Sequence, residues 1–182
     1  MARRVTWLGR TATHLILRPE AAKQRFLAKY CSSVRHQRVL EIGSGRAVKG
    51  KYIYSVRDFF LADGKNNVVD CSDMMPEHGH RVLDIRTMDL VDEYDVIICF
   101  NVLEHVYEWQ PAIANLKRAL RPGGTLFVLV PALYPLHDEP HDYWRFTEHA
   151  LRRMFSDFDS VTVDHAGVRH LPTVQFVVAR RR

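Results

Sequence analysis

A chain of 182 residues that is 47% hydrophobic and 26% charged has the size and balance of one soluble globular domain with a sizeable core. Disordered and fibrous classes are excluded on that ground, and with no apolar run of bilayer-spanning length an integral membrane protein is not expected. The formal charge of +5 comes from arginine at the two ends, "MARR" and "ARRR". A solvated surface with basic tails accounts for it better than a nucleic-acid footprint, so nucleic acid stays open as a partner without being favoured.

The opening stretch "MARRVTWLGRTATHLILRPE" has no acid before Glu20, and its apolar part is interrupted by Arg10 and Arg18, which excludes an ordinary secretory signal. It reads as a basic arm, with a transit peptide or a membrane-surface anchor as alternatives. Three cysteines, Cys31, Cys71 and Cys99, are far apart and odd in number. That is the pattern of reduced thiols in a cytoplasmic protein, not of a disulfide frame or a zinc site.

"PEAAKQRFLAKY" places Ala22, Phe26, Leu27 and Tyr30 on one face behind Pro19 and Glu20, which predicts an amphipathic helix. "RVLEIG" is a buried strand. In "GKYIYSVRDFFLADG", Ile53, Val56, Phe59 and Phe60 recur at helical spacing up to Gly64, and "NVVDCSD" is the second strand. "RVLDI" and "YDVIICF" are the third and fourth. "PAIANLKRAL" has Pro111 at a helix start, Ile113, Leu116 and Leu120 on one side, and an "RPGG" stop where Gly123 can turn left-handed. "TLFVLVP" is the fifth strand, Thr147 can cap a helix in "EHALRRMF", and "SVTVDH" and "TVQFVVAR" are close enough in sequence to pair antiparallel.

Continuous apolar strands alternating with helices predict an α/β fold. The expected architecture is a Rossmann-like, doubly wound, seven-stranded sheet, mostly parallel with a C-terminal antiparallel hairpin. The connections "DMMPEHGH" and "RTMDLVDE" are shorter than a parallel crossover normally needs, so the crossovers around strands 2 to 4 must be shortened.

In such a sheet ligands bind beyond the carboxyl ends of the strands. The first strand ends in "LEIGSGRA", where Gly43 and Gly45 permit a tight turn and close approach to a nucleotide-like cofactor. Val48 stands where a dinucleotide fingerprint would have its third glycine, and a G-x-G alone is a weak signal.

The set around it is more specific. "VLEIGSG", an acid after strand two in "DCSDMMP", "LDI" after strand three, "YDVIICFNVLEHV" and the "LRPGGTLFVLVP" junction together resemble the class I S-adenosylmethionine-dependent methyltransferases of the type 11-like group, from about Arg38 to the C-terminus. The loop "YPLHDEPHDYWRFT" is similar to one carried after strand five by a sub-group of these enzymes. On this resemblance residues 1–34 are an N-terminal arm and amphipathic helix, and 35–182 a single methyltransferase domain.

The resemblance implies S-adenosyl-L-methionine as cofactor and assigns it Glu41, Gly43, Ser44 and Gly45 in the glycine loop. It further implies Asp73 for the ribose hydroxyls with Asp70 as alternative, Asp84 and Ile85 for the adenine, and Asn101 beside the methionine. Asp73 is preferred because "DMMPE" matches the family's acid-x-x-Pro-Glu pattern. Each acid alone could be a solvated strand end.

Methyl transfer from a sulfonium needs positioning and, for a hydroxyl acceptor, proton removal. Glu104 and His105 after strand four and His137 and His141 after strand five are the candidate catalytic groups, with a structural capping role for Glu104 or His105 of equal standing. Tyr143, Trp144 and Arg145 are candidates for the acceptor pocket. Arg145 paired with Asp142 or Glu139 would equally make a self-contained loop network. His137 and His141 are four apart, but Pro140 between them opposes the helix a metal clamp would need, and no metal is expected.

No "D/N-P-P-Y/F/W" segment follows strand four, so an exocyclic-amine acceptor on adenine or glutamine gains no support. A polar small molecule or glycan precursor is expected, by family analogy only. An NAD-dependent oxidoreductase and a catalytically inactive scaffold are the alternatives. The expected location is cytoplasmic, with peripheral membrane contact through the basic arm as the alternative, and oligomeric state is not legible.

Overall fold

A computed structural model describes residues 19–47 and 54–182. The basic arm, Val48 and Ile53 lie outside the described residues. In chain order the elements are helix α1 (Pro19–Phe26), strand β1 (Arg38–Ile42), helix α2 (Arg57–Leu61), β2 (Val68–Asp73), β3 (Arg81–Val82), β4 (Tyr94–Phe100), α3 (Trp109–Ala119), β5 (Leu120–Pro131), α4 (Glu148–Met154), β6 (Ser160–Val168) and β7 (Leu171–Arg180). One sheet runs β3-β2-β1-β4-β5-β7-β6. The first five strands are parallel, and β7 is antiparallel to both neighbours.

Alternation along the central strands sorts the core into two layers. Val96, Ile98 and Phe100 of β4 face α1 and α2, while Ile97 and Cys99 face α3 and α4. On the second face α3 contributes Ala112, Ile113, Leu116 and Ala119, which include Ile113 and Leu116 of the predicted stripe, while Leu120, expected on the helix, is the buried first residue of β5. On the first, Phe26 of α1 stacks on Phe176 of β7 at 4.4 Å between centroids and meets Phe100 and Phe127 edge-on. α1 therefore shares the core of the sheet. A π-helical turn, Leu27–Cys31, continues it and buries Leu27 and Cys31.

Gly123 is left-handed at φ 80°, as "RPGG" predicts, and Thr147 Oγ1 accepts from the Ala150 N–H at the start of α4. Two elements are shorter than predicted. β3 covers only Arg81–Val82 of "RVLDI", because Asp84 accepts the Arg86 N–H at 2.9 Å and its carbonyl accepts from Thr87 and Met88, which turns the chain out of the sheet. α2 is five residues long. Ser55 and Val56, expected to be helical, are instead held by the carboxylate of Glu41. The crossover between β2 and β3 holds one short turn, Pro76–His78, and none of helical length joins β3 to β4.

Outside the core, Asp164 of β6 accepts from Lys29 and Tyr30, both at 2.8 Å. Burial alone would raise its carboxyl, but these bonds outweigh it and hold it at about 2. A depressed carboxyl contributes stability that is present above the ordinary value and lost as pH falls through the folded one. Denaturant unfolding of wild type is therefore expected to show a loss of stability between pH of about 4 and 2 that Asp164→Asn lacks. Phe26→Ala, which empties the aromatic cluster under α1, is expected to cost about 3–5 kcal/mol in urea unfolding.

Candidate active site

β1 ends in a buried carboxylate. Glu41 is 4% exposed and accepts from Ser44 Oγ at 2.9 Å, Ser55 Oγ at 2.5 Å and the Val56 N–H at 2.5 Å, with the Cys71 thiol at 3.5 Å. A buried carboxylate is tolerated when its lone pairs are filled this way, and here the donors belong to the loop after β1, to β2 and to the approach to α2. Gly43 and Gly45, both at φ 71°, turn the chain above it. A Cβ on Gly43 would lie 2.5 Å from Val102 Cγ2, so the glycine loop is closed against the segment that leaves β4.

Asp73 stands at the tip of β2. Its carboxylate accepts the Gly45 N–H at 2.8 Å and the Met75 N–H at 3.0 Å, and His78 Nδ1 lies 3.0 Å away. Burial opposes ionisation, but those donors prevail and hold the carboxyl below its ordinary value. Asp70, three residues earlier, is engaged elsewhere by the Arg38 guanidinium and the Tyr94 hydroxyl. Asp84 is gripped by Arg86 through bonds of 2.7 to 3.1 Å, which lower its carboxyl, and Arg86 also reaches Glu108. Ile85 is 3% exposed and packed in the core, so it presents almost no surface to a ring. Asn101 is exposed, directly after β4, in the left-handed conformation at φ 53°.

The loops after β4 and β5 interlock. The carbonyl of Glu104 accepts the N–H groups of Tyr143 and Trp144 at 2.8 and 3.2 Å, and the Trp144 indole donates to the Val106 carbonyl while stacking on Tyr107 and Phe146. Arg145 donates to both oxygens of Asp142, at 2.6 and 2.7 Å, and to the carbonyls of Tyr134 and Pro135. The Glu139–Pro140 bond is cis. His137 Nδ1 lies 3.1 Å from Asp142 Oδ2, and the His137 ring meets the His105 ring edge-on at 4.9 Å. His105 Nδ1 donates to the His141 carbonyl at 2.9 Å, and His141 Nδ1 lies 2.8 Å from the Tyr143 hydroxyl.

Glu104 has no exposed surface, and neither carboxylate oxygen has a hydrogen-bond partner. Burial pushes its carboxyl up to about 8, against the opposing pull of Arg145. Burial also lowers the His137 imidazole, against the pull of Asp142. One ligand-type atom from each of Glu104, His105 and His137 lies within 4.8 Å of the others. His137 thus converges with residues after β4 and not with His141, the partner that sequence spacing suggests. Sequence reading did not anticipate the contact of Val102 with Gly43, the support of His137 by Asp142, or the unpaired burial of Glu104. The only signal for them is that "LEH" and "PLH" follow neighbouring strands at the same sheet edge.

The sheet order, the carboxylate-anchored glycine loop and the acid at the tip of β2 define a Rossmann-like nucleotide-cofactor domain of the methyltransferase type. A family model described as a methyltransferase domain matches residues 12–164, and the chain belongs to that family, the S-adenosylmethionine-dependent methyltransferases of class I. Family membership sets aside the oxidoreductase alternative.

The highly reducing polyketide synthase aurA of Calcarisporium arbuscula is 32% identical over 110 residues, a match covering 50% of this chain and 4% of that protein. The chain thus corresponds to a small part of that relative. Among solved structures, phosphoethanolamine N-methyltransferase 2 of Haemonchus contortus, in complex with phosphomonomethylethanolamine and S-adenosylhomocysteine, is similar at a TM-score of 0.68 and 13% identity, covering 98% of this chain and 58% of that one. A SAM-dependent methyltransferase from Archaeoglobus fulgidus is similar at 0.65 and 13%, with 94% and 99% covered. Among the described residues no helix is long and apolar enough to cross a membrane.

A left-handed backbone costs a non-glycine residue roughly 1–2 kcal/mol, to which Gly43→Ala adds the clash with Val102. Denaturant unfolding should show Gly43→Ala destabilised by more than that amount. The double variant with Val102→Ala should recover the steric part, and failure to recover it would show that Val102 does not close on the loop.

Proposed function

We propose that this domain transfers the methyl group of S-adenosylmethionine, by in-line displacement, to a nucleophilic atom of a polar small molecule or glycan precursor. The observation that carries the reading is the alignment, along one carboxyl edge of β2, β1, β4 and β5, of the glycine loop, Asp73 and the interlocked loops bearing Glu104, His105 and His137. A cofactor lying across the first half of that edge directs its sulfonium methyl toward the second.

In this reading Glu41 holds the loop in shape through Ser44, Ser55 and Val56. Gly43, Ser44 and Gly45 bring main chain to the cofactor, and Asp73 exchanges its bonds to Gly45 and Met75 for the two ribose hydroxyls. Asp70 has its carboxylate committed to Arg38 and Tyr94, which favours Asp73 for that role. Asp84 accepts from the adenine amino group once Arg86 yields one of its bonds, and Asn101 flanks the methionine.

The sulfonium is already an excellent leaving group, so the acceptor side has two tasks: alignment and removal of a proton from a hydroxyl acceptor. His137 and His141 are the proton acceptors, with Glu104 and His105 beside them. Tyr143, exposed next to His141, faces the acceptor, whereas Trp144 and Arg145 keep the loop in place through Val106 and Asp142. A cavity of about 400 Å³ beside this loop, lined in part by Arg145, Glu148, His149, Arg169 and His170, with Arg145 paired to Asp142 and Arg169 to Glu148, supports a polar acceptor.

Calorimetric titration should detect S-adenosylmethionine binding to the wild type, and its absence would favour an inactive scaffold. Removing a charged hydrogen-bonding group costs about 1.5–3 kcal/mol, so Asp73→Asn should weaken the cofactor by that amount while Asp70→Asn should not. The His137→Ala, His141→Ala double variant should lose turnover, read by mass spectrometry with labelled cofactor and a metabolite extract, yet keep cofactor affinity. Unchanged turnover would rule out a catalytic part for these histidines.

A further inference from the structure

We propose that Glu104, His105 and His137 form a binding site for one divalent transition-metal ion of the Zn²⁺ or Fe²⁺ class, open on the acceptor side. Glu104 supplies the first argument. A carboxyl group with no exposed surface leaves both of its oxygens without a partner, and desolvated polar groups are normally paired. His105 Nε2 lies 3.9 Å from Glu104 Oε1, too far to hydrogen-bond. A cation between them supplies what both lack.

The second argument is the orientation of the imidazoles. His105 donates through Nδ1 to the His141 carbonyl, and His137 donates through Nδ1 to the Pro135 carbonyl at 3.2 Å with Asp142 beside it. These bonds fix the Nδ1–H tautomer and leave each Nε2 with a lone pair. Such support, from a carbonyl or a carboxylate behind the ring, is what orients histidine ligands in metal sites. Asp142 is in turn held by both nitrogens of Arg145, so the backing group is itself immobilised.

Distance and composition supply the third. With metal–ligand bonds of about 2.0–2.2 Å, bound donor atoms stand roughly 3–4 Å apart. The three groups lie within 4.8 Å, so small rotations of the side chains suffice. Two imidazoles and a carboxylate select borderline ions such as Zn²⁺, Fe²⁺ or Co²⁺ over Ca²⁺ and Mg²⁺, which prefer oxygen alone. The histidine side chains are 23% and 16% exposed, so three protein ligands leave further positions accessible.

The consequence for catalysis rests on the methyl-transfer reading. An acceptor hydroxyl bound at the open position ionises more readily, its proton passing to solvent through His141. The oxygen then forms the bond to the methyl carbon as the carbon–sulfur bond breaks, and sulfur keeps the electron pair as a neutral thioether. Glu104, His105 and His137 would then act as ligands and not as bases.

The test uses the full chain, stripped with chelator and titrated with Co²⁺ under an optical readout. One equivalent should bind with visible d–d absorption and be displaced by Zn²⁺. Glu104→Gln, isosteric and free of a buried charge, and His137→Ala should each abolish the saturable phase, and Asp142→Asn should weaken it about 10–100-fold. His165→Ala on β6 should bind as wild type does. Absence of saturable binding in the wild type, or binding undiminished in the His105→Ala, His137→Ala double variant, overturns the site. Titration with S-adenosylmethionine in parallel separates the two readings: cofactor binding without Co²⁺ binding refutes the metal alone, and the converse refutes methyl transfer alone.

Discussion

The carboxylate of Glu41 is the constraint on which the glycine-loop half of the candidate site depends. It is buried at the end of a central strand, where leaving it unsolvated and unpaired would be costly, and the chain meets that cost by converging on it. Ser44 turns the glycine loop inward, Ser55 and Val56 end the return segment at a fixed point, and Cys71 approaches from β2. The shortness of α2 follows, since residues committed to the carboxylate cannot also extend a helix. The same geometry brings Gly45 within reach of Asp73, so one electrostatic knot sets both the loop and the acid.

The half formed by the loops after β4 and β5 is built on a different principle. Its two loops have almost no regular secondary structure and are held by polar contacts between the segments that leave the neighbouring strands β4 and β5. Arg145 clamps Asp142, and the Glu104 carbonyl carries two amides of the opposite loop. Such a network orients side chains at the sheet edge above the buried Leu103, Val106 and Phe146, and it shifts their ionisation by what surrounds them. Glu104 is raised because burial outweighs the pull of Arg145, while Asp142 is lowered because the direct bonds from Arg145 and the His137 N–H outweigh burial.

Period and composition carried most of the fold. The alternating apolar strands, the stripe of α3, the Thr147 cap and the left-handed Gly123 are local properties and were legible as such. The failures share a cause. β3 stops early because Asp84 bonds its own backbone two residues on, and α2 starts late because of a carboxylate fourteen residues upstream. The site was legible where one motif held all its parts, as in the glycine loop. It was illegible where the partners are distant: His137 with His105, or Val102 with Gly43, can be paired only once strand order is known.

The order of the last strands has a consequence for how the molecule is made. β7 lies between β5 and β6, so β5 cannot complete its hydrogen-bonding edge, nor β6 join the sheet, until the final strand in sequence is in place. On a ribosome delivering the chain from its N-terminus, the apolar edge of β5 stays unpaired until β7 has emerged, the condition in which strand edges recruit wrong partners. Phe176, the residue of β7 that stacks on Phe26, arrives at the same late moment. Closure of the sheet and seating of α1 are thus one event, timed by the arrival of β7.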